Sequence, residues 1–164
     1  ILRTEVDHIL NIRSHPQAII MGDFNDYPTN QSILKILKAE APPVKTNDLA
    51  STTDSANAST VTPSSLKLYH LLARKAKSKN FGSYKFRGEW GLLDHLIVSG
   101  TLLNQSNHFF TSEEKANVCL LPFLLKDDEK YGDKEPFRTY KGMKYQGGIS
   151  DHLPIYTDFE LIVY

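Results

Sequence analysis

The chain has 164 residues with a hydrophobic fraction of 40%, which is enough for an ordinary core, so we expect a single domain. Lys plus Arg and Asp plus Glu are equal at 19 each, which argues against a global field that would attract nucleic acid or an anionic membrane. The single cysteine, Cys119, excludes an internal disulfide, and no apolar run in the sequence is long enough to cross a bilayer.

The amino-terminal part of the chain predicts a helix, a strand and a second helix. Residues 1–14 have apolar side chains at helical spacing and stop before Pro16. The apolar run 18–20 is typical of a strand packed on both faces. Residues 31–39 predict a helix whose buried side carries four apolar residues, Ile33, Leu34, Ile36 and Leu37.

The middle of the chain predicts a long surface loop, a helix and two strands. Residues 41–65 are rich in Pro, Ser, Thr, Ala and Asn, which favours a loop. Residues 66–73 predict a helix, and the basic run 74–79 is interpreted as its solvated carboxyl end, with a phosphate-binding surface as the alternative. The segments 83–87 and 92–98 predict strands, and the second of them carries an acidic residue.

The last part of the chain predicts short strands separated by polar loops. Residues 108–125 contain apolar strands, and residues 126–134 form a charged loop. Residues 136–148 combine basic and aromatic side chains with glycines, which predicts a second loop. Residues 153–163 predict the closing strand.

Polar side chains follow the first predicted strand, in the stretch Gly22-Asp23-Phe24-Asn25-Asp26. The carboxyl end of a strand in an open α/β sheet is where ligands bind. Asp23 and Asn25 alternate with Phe24, so on a strand they share one face and offer a carboxylate beside an amide. An ordinary turn with capping side chains is the alternative. We expect Asp26 to cap the following helix, and bracing Asp23 is its alternative role.

Asp94 lies within an apolar strand, where a carboxylate is costly unless it has a partner. A histidine is the natural partner, because a carboxylate on one ring nitrogen fixes the tautomer and raises the basicity of the other. His152, which follows two glycines and lies next to Asp151, is predicted to be that histidine. His95 points to the opposite face of the strand from Asp94 and is therefore left out of the site.

The three motifs Gly22-Asp23-Phe24-Asn25, Leu93-Asp94-His95 and Ser150-Asp151-His152-Leu153-Pro154 resemble those of the endonuclease/exonuclease/phosphatase superfamily. Its members include exonuclease III, pancreatic deoxyribonuclease, neutral sphingomyelinases and inositol polyphosphate phosphatases. The stretch 136–148 resembles bacterial members most closely. The resemblance implies an α/β fold in which residues 1–164 form the carboxy-terminal half of a four-layered α/β/β/α sandwich with a mostly antiparallel mixed sheet.

The resemblance implies metal-dependent hydrolysis of a phosphate ester by a phosphodiesterase, phosphatase or nuclease. Asp23 would position or deprotonate the attacking water and contribute to the metal site, and Asn25 would bind a phosphate oxygen. Asp94 would orient His152, which would donate a hydrogen bond to the phosphate. Asp151 would ligate or support the metal. Oxygen ligands, without a set of thiols or imidazoles, favour Mg²⁺ or Mn²⁺ over zinc.

Substrate selection is assigned to the loop 136–148, where Arg138, Tyr140 and Tyr145 are the candidate binding residues. Basic and aromatic side chains beside a metal site suit a phosphate with an organic leaving group. Their alternative is an ordinary surface loop. Together with the balanced net charge, this loop favours a small phosphate ester over nucleic acid as the partner.

The superfamily's first half, with its metal-binding Glu, has no counterpart in this sequence. We therefore expect the chain to be the carboxy-terminal half of a longer bacterial enzyme, either cytoplasmic or exported. The alternative function is a catalytically inactive half-domain that serves as a pairing or binding module. Such a module would cover its apolar face with the missing half or with a second copy of itself.

Overall fold

The structure is a computed structural model that describes residues 1–44 and 64–163. It contains one α-helix, α1 (Leu2–Ile12), and a π-helical segment, Ser32–Leu37, within that part of the chain. Short 3₁₀ turns lie at Lys75–Lys77, Gly100–Leu103, Glu113–Lys115 and Pro122–Leu124. The strands are β1 (Ile19–Asp23), β2 (Ala39–Glu40), β3 (Leu68–His70), β4 (Tyr84–Phe86), β5 (Glu89–Gly91), β6 (Asp94–Ser99), β7 (Phe109–Phe110), β8 (Ala116–Val118), β9 (Leu125–Asp127), β10 (Lys134–Pro136), β11 (Tyr140–Lys141), β12 (Lys144–Tyr145), β13 (Ile155–Thr157) and β14 (Glu160–Leu161).

The central sheet has the strand order β1-β6-β3-β2. The pairs β1–β6 and β6–β3 are antiparallel, and β3–β2 is parallel, which confirms the prediction of a mostly antiparallel mixed sheet in an α/β fold. The register of β1 against β6 places Asp23 directly opposite Asp94. The sheet therefore brings together two of the residues that the motifs single out.

Strand β6 divides the apolar core into two clusters because successive side chains point to opposite faces of the sheet. Ile97 packs with Val6 and Leu10 of α1, and this cluster also contains buried residues of the π-helical segment. Leu96 and Val98 face a larger cluster that contains residues from the later strands. Helix α1 thus covers one face of the sheet, as the helical spacing predicts.

Strand β1 is not buried on both faces, contrary to the prediction. Ile19 and Met21 are 47% and 58% exposed, whereas Ile20 packs against the cluster below α1. Strand β1 pairs with β6 alone, so it is an edge strand in the described part of the chain. Its apolar sequence therefore belongs to a strand with one covered face.

The second predicted helix is shorter than expected. It ends at Leu37, and Lys38 follows in the left-handed conformation with φ 58°. Ile33 and Leu37 are buried, but Leu34 and Ile36 are exposed, so only half of the predicted apolar side faces the core. The chain then continues directly into β2, which starts at Ala39.

The predicted helix 66–73 is wrong, because β3 occupies its centre. Leu68 to His70 pair with β6 on one side, and Leu68 and Tyr69 pair with β2 on the other. A short buried apolar run fits a helix or a strand equally well by periodicity, and here strand pairing decides. The interpretation of the run 74–79 as the carboxyl end of that helix is therefore wrong as well. Arg74 forms an ion pair with Glu113, and Lys75 donates to the carbonyl of Ala116.

Several predicted loops near the carboxyl end contain paired strands. Strands β9 and β10 pair across the segment predicted as a charged loop, and β11 and β12 form a hairpin within the predicted loop 136–148. The predicted closing strand is two strands, because β13 pairs with β8 whereas β14 pairs with β7. Most of the predicted loop 41–65 lies outside the described residues.

Candidate active site

Asp23, Asp94 and His152 come together at one end of the central sheet. Asp23 is the last residue of β1, Asp94 is the first residue of β6, and His152 precedes β13. One ligand atom from each residue lies within 4.8 Å of those of the other two, and within the described residues this is the group that could hold a metal ion. Residues far apart in the sequence thus form one cluster, as the motifs predict.

The Asp94 carboxylate forms a hydrogen-bonded pair with the His152 imidazole. The distance between Nδ1 of His152 and Oδ2 of Asp94 is 2.7 Å. Because an ionised carboxylate only accepts, Nδ1 carries the proton and donates it to Asp94. The other ring nitrogen, Nε2, takes no part in this hydrogen bond and is the atom left for chemistry at the site. The predicted partnership between these two residues is present in the structure.

Ser83 is a second hydrogen-bond partner of the Asp94 carboxylate. Its buried hydroxyl donates to Oδ2 of Asp94, the same oxygen that accepts from His152. The carbonyl of Ser83 also accepts a hydrogen bond of 2.7 Å from the backbone N–H of Leu153, the residue after His152. Ser83 therefore binds Asp94 through its hydroxyl and the residue after His152 through its carbonyl, although its sequence context gives no signal of this role.

Tyr84 packs against the imidazole of His152. The centroids of the two rings are 4.9 Å apart, and an isolated antiparallel bridge joins the two backbones. The guanidinium of Arg138 lies over the Tyr84 ring at 5.7 Å, and its Nη2 donates to the carbonyl of Lys85 at 3.1 Å. The hydroxyl of Ser150 accepts from the N–H of His152 at 3.1 Å, which fixes the backbone before the ring.

Asp23 and Asn25 are joined by a turn and do not share one strand face. Strand β1 ends at Asp23, and Asn25 has the left-handed conformation with φ 52°. The N–H of Asn25 donates to Oδ1 of Asp23 at 2.9 Å. The expectation of alternation along a strand is therefore wrong, because the strand ends two residues before Asn25. Both side chains are nevertheless exposed at the same corner of the sheet.

Asp26 organises the segment that follows the turn. Its carboxylate accepts from Oγ of Ser32 at 2.6 Å and from the side-chain amide of Asn30. These hydrogen bonds, from Ser32 first and then from Asn30, lower the pKa of Asp26. The π-helical segment has no side-chain cap on a backbone N–H, so the predicted capping role of Asp26 is replaced by contacts with two side chains.

The remaining predicted site residues lie around the cluster. Asp151 is exposed and lines a surface cavity with Arg138 and Tyr140, outside the group of three possible ligands, so its metal role stays a prediction. Tyr140 and Tyr145 are exposed on the β11–β12 hairpin, where their rings meet edge to face at 5.5 Å. Arg138 is partly buried, and its contacts place it beside Tyr84. Substrate binding by these three residues likewise stays a prediction.

An α/β fold that presents a carboxylate–imidazole pair beside a second carboxylate is typical of hydrolytic enzymes. The model of the endonuclease/exonuclease/phosphatase family matches residues 1–161, and the chain therefore belongs to that family. A search of curated proteins and a search of solved structures found no significant match. Members of the family are generally phosphoesterases that depend on a divalent metal, which accords with the residues gathered at the site.

Proposed function

We propose that this chain carries part of the active site of a phosphoesterase that hydrolyses a phosphate ester with the help of Mg²⁺ or Mn²⁺. The observation that carries the proposal is the 2.7 Å hydrogen bond between Asp94 and His152 beside the exposed carboxylate of Asp23. Family membership supports the reaction class, and the geometry supports the choice of residues.

Asp23 positions the attacking water or accepts its proton. One carboxylate oxygen of Asp23 is already held by the N–H of Asn25 at 2.9 Å, which fixes the orientation of the group. A positioned carboxylate can orient a water and accept a proton from it. The amide of Asn25, exposed at the same corner, donates a hydrogen bond to a phosphate oxygen. The turn that joins these residues therefore presents a base and a donor side by side.

His152 stabilises the charge that develops on the phosphate. The Asp94 carboxylate accepts from Nδ1 and fixes the orientation of the imidazole. When the ring carries a second proton, Nε2 donates a hydrogen bond to a phosphate oxygen. A donor that is already oriented toward the developing charge costs no reorganisation in the transition state. Ser83 and Tyr84 limit the movement of the pair, because they contact Asp94 and His152 respectively.

The residues present suit a hard divalent cation. The group contains two carboxylates and one imidazole, and no thiol is among its members. Oxygen-rich sets suit Mg²⁺ and Mn²⁺. Asp94 and His152 hydrogen-bond each other, so Asp23 is the carboxylate best placed to hold the ion, with Asp151 as a further ligand or support. When bound, the ion would neutralise the negative charge of the phosphate.

A small phosphate ester is the substrate class that we favour. Arg138 lies next to Tyr84, and the exposed pair Tyr140 and Tyr145 stands on the neighbouring hairpin. The residue before the hairpin is tied to the segment before His152, because Oγ1 of Thr139 donates to the carbonyl of Ile149 at 2.9 Å. These aromatic rings offer a surface for an organic leaving group. The balanced net charge does not favour duplex nucleic acid.

The second candidate function is a pairing module, and the exposed face of β1 favours it. Ile19 and Met21 present apolar side chains on a strand that pairs on one edge within the described residues. We propose that residues 1–164 are the carboxy-terminal half of a four-layered α/β/β/α sandwich. A complementary half or a second copy would cover this face. On its own the chain is then catalytically inert, and its activity depends on that complement.

The decisive experiment measures phosphate release from nucleic acids, sugar phosphates and phospholipids in the presence of Mg²⁺ or Mn²⁺. The full-length protein that contains this chain is compared with its His152→Ala variant and with residues 1–164 alone. We expect His152→Ala to lower kcat by about 10²–10³-fold, the range for loss of a donor that stabilises charge in the transition state.

His8→Ala is the matched control, because His8 is an exposed histidine on α1. It should leave kcat unchanged. Hydrolysis that survives in His152→Ala would contradict the site assignment. Full activity of residues 1–164 alone would contradict the half-site, and recovery on mixing with the complementary half would support it.

A further inference from the structure

The turn Phe24-Asn25-Asp26 packs on a buried side chain of β6, His95. The imidazole of His95 stacks on the Phe24 ring with centroids 5.0 Å apart. Its Nε2 lies 2.9 Å from the carbonyl oxygen of Asp26. His95 thus contacts the residues on both sides of Asn25, from the face of β6 opposite to Asp94.

His95 is in turn held by a second buried histidine, His70 of β3. Nε2 of His70 lies 2.7 Å from Nδ1 of His95, and both side chains are fully buried. The other nitrogen of His70, Nδ1, lies 3.1 Å from the backbone N of Leu72. A continuous chain of hydrogen bonds therefore runs from the backbone after β3 to the turn after β1.

The position of each proton in this series of hydrogen bonds follows from the groups at its two ends. The N–H of Leu72 can only donate, so Nδ1 of His70 accepts and its Nε2 carries the proton. That proton is donated to Nδ1 of His95, which leaves Nε2 of His95 as the donor to the Asp26 carbonyl. Both imidazoles must be neutral, because a second proton on either ring would set two donors against each other.

Burial supports the neutral state of both rings. Burial, followed by the effect of His95, lowers the pKa of His70 to about 3. Burial also lowers the pKa of His95, against the opposing effects of the Asp26 carbonyl and of the nearby carboxylates of Asp94, Asp26 and Asp23. The hydrogen-bonded arrangement therefore persists at neutral pH.

The turn needs such a restraint. Asn25 has φ 52°, a conformation that residues other than glycine adopt at some cost and that surrounding contacts must maintain. Asp23 depends on the same turn, because one of its carboxylate oxygens accepts from the N–H of Asn25. Movement of the turn would displace both side chains that the proposed reaction uses.

We propose that His95, oriented by His70, is a positioning residue that holds Asp23 and Asn25 in their reactive arrangement. The expected effect of His95 on kcat rests on the proposed function. The expected effect of His95 on the conformation of the turn rests on the hydrogen bonds alone. His95 takes no part in the reaction itself, because it faces away from the cluster of Asp23, Asp94 and His152.

The test compares His95→Leu with His95→Gln in the full-length protein. Leucine removes the donor to Asp26, whereas glutamine retains a donor and an acceptor at the end of a side chain of similar reach. We expect His95→Leu to lower kcat by about 10²-fold, as a small misplacement of catalytic groups does, with a smaller change in KM. His95→Gln should recover most of kcat.

Ser99→Ala is the matched control for lost stability. Ser99 lies at the other end of β6, where its buried hydroxyl donates to the carbonyl of Pro16 and accepts from the N–H of Ala18, both at 3.0 Å. This variant also loses buried hydrogen bonds, but it leaves the turn intact. It should therefore unfold at a lower temperature while its kcat stays unchanged. A kcat loss in Ser99→Ala as large as that in His95→Leu would overturn the positioning role.

A second measurement separates this inference from the proposed function. Nitrogen NMR of the histidine rings should show neutral, Nε2-protonated His70 and His95, and the Asn25 amide should exchange faster in His95→Leu than in His95→Gln. These results would support the inference even if the wild-type protein hydrolysed none of the substrates. An Nδ1-protonated ring, or equal exchange of the Asn25 amide in both variants, would overturn it.

Discussion

Ser83 affects the candidate site through one atom, Oδ2 of Asp94. Its hydroxyl and the imidazole of His152 both donate to Oδ2 of Asp94. A hydrogen bond to a charged group contributes about 1.5–3 kcal/mol. Removing it frees the carboxylate to rotate and weakens its hold on the imidazole. The contribution of Ser83 to catalysis therefore passes through Asp94.

We predict that Ser83→Ala lowers kcat by about tenfold to a hundredfold, which is the kinetic equivalent of that hydrogen-bond energy. In an Asp94→Asn background the same substitution should cost much less, because the carboxylate on which Ser83 acts is gone. A double-mutant cycle measured on kcat tests this coupling. Additive effects of the two substitutions would show that Ser83 acts independently of Asp94.

At the same scale, the sequence predicts some site residues and not others. Asp94 can be predicted because a carboxylate in an apolar strand requires a partner, and His152 is the histidine that meets it. Ser83 and Tyr84 cannot be predicted in this way, since their roles arise from an isolated bridge between β4 and the segment before β13. Such a contact leaves no trace in hydrophobic periodicity.

Among the elements, the strands that carry the motifs are predicted better than the segments between them. The alternation of β4 and the apolar run of β6 follow from side-chain pattern alone. Strand β3 was predicted as a helix because its buried run is too short for periodicity to distinguish the two. The hairpin of β9 and β10 cannot be predicted from side-chain pattern, because its sequence is highly charged. In the structure these charges pair across the strands, as Lys134 does with Asp127 at 2.5 Å.

The segment that delivers His152 depends on a close approach at Gly148. A Cβ atom at this position would overlap the carbonyl oxygen of Phe137. That same oxygen accepts a hydrogen bond of 2.7 Å from the N–H of Ile149. Any side chain at Gly148 must therefore push the two backbones apart, in the segment between the end of β12 at Tyr145 and His152.

We predict that Gly148→Ala lowers the free energy of unfolding by about 1–3 kcal/mol, as overpacking does, and lowers kcat as well. Gly142→Ala is the matched control, because Gly142 has φ 60° at the tip of the β11–β12 hairpin but nothing within 4 Å of its added Cβ. It should cost about 1 kcal/mol from backbone strain alone, with kcat unchanged. Urea unfolding and steady-state kinetics of both variants test this prediction. Equal effects of the two substitutions on kcat would contradict it.

For the whole molecule, the buried ionisable groups decide how stability responds to pH. Lys85 and Asp128 form a buried ion pair at 3.2 Å. Burial opposes ionisation of Asp128, but hydrogen bonds from the N–H of Tyr131, from Lys85 and from the N–H of Lys130 lower the pKa of its carboxyl overall. A lowered carboxyl pKa stabilises the fold above the ordinary value near 3.8 and ceases to do so as the pH falls below it. Carboxylates of this kind therefore govern stability at strongly acidic pH.

The two buried histidines, His70 and His95, affect the stability of the fold at milder pH than Asp128 does. The pKa of His70 is lowered from its ordinary value of 6.5 to about 3, and that of His95 is lowered as well, by burial in both cases. At pH values between the lowered pKa and 6.5, the two histidines bind protons in the unfolded chain but not in the folded chain. Stability therefore rises with pH through this window and is lost as the pH falls from about 6.5.

We predict that the free energy of unfolding decreases between pH 6.5 and pH 4.5 by up to about 1.4 kcal/mol per pH unit for each excluded proton. His70→Gln removes one titrating ring but retains a donor toward His95, so its slope should be smaller than that of the wild type. Ser99→Ala removes buried hydrogen bonds but no titrating group, and it should leave the slope unchanged. Urea unfolding at closely spaced pH values measures all three slopes. A wild-type slope equal to that of His70→Gln would show that His70 is protonated in the folded protein, and with it the hydrogen-bond chain behind the Asn25 turn would fail.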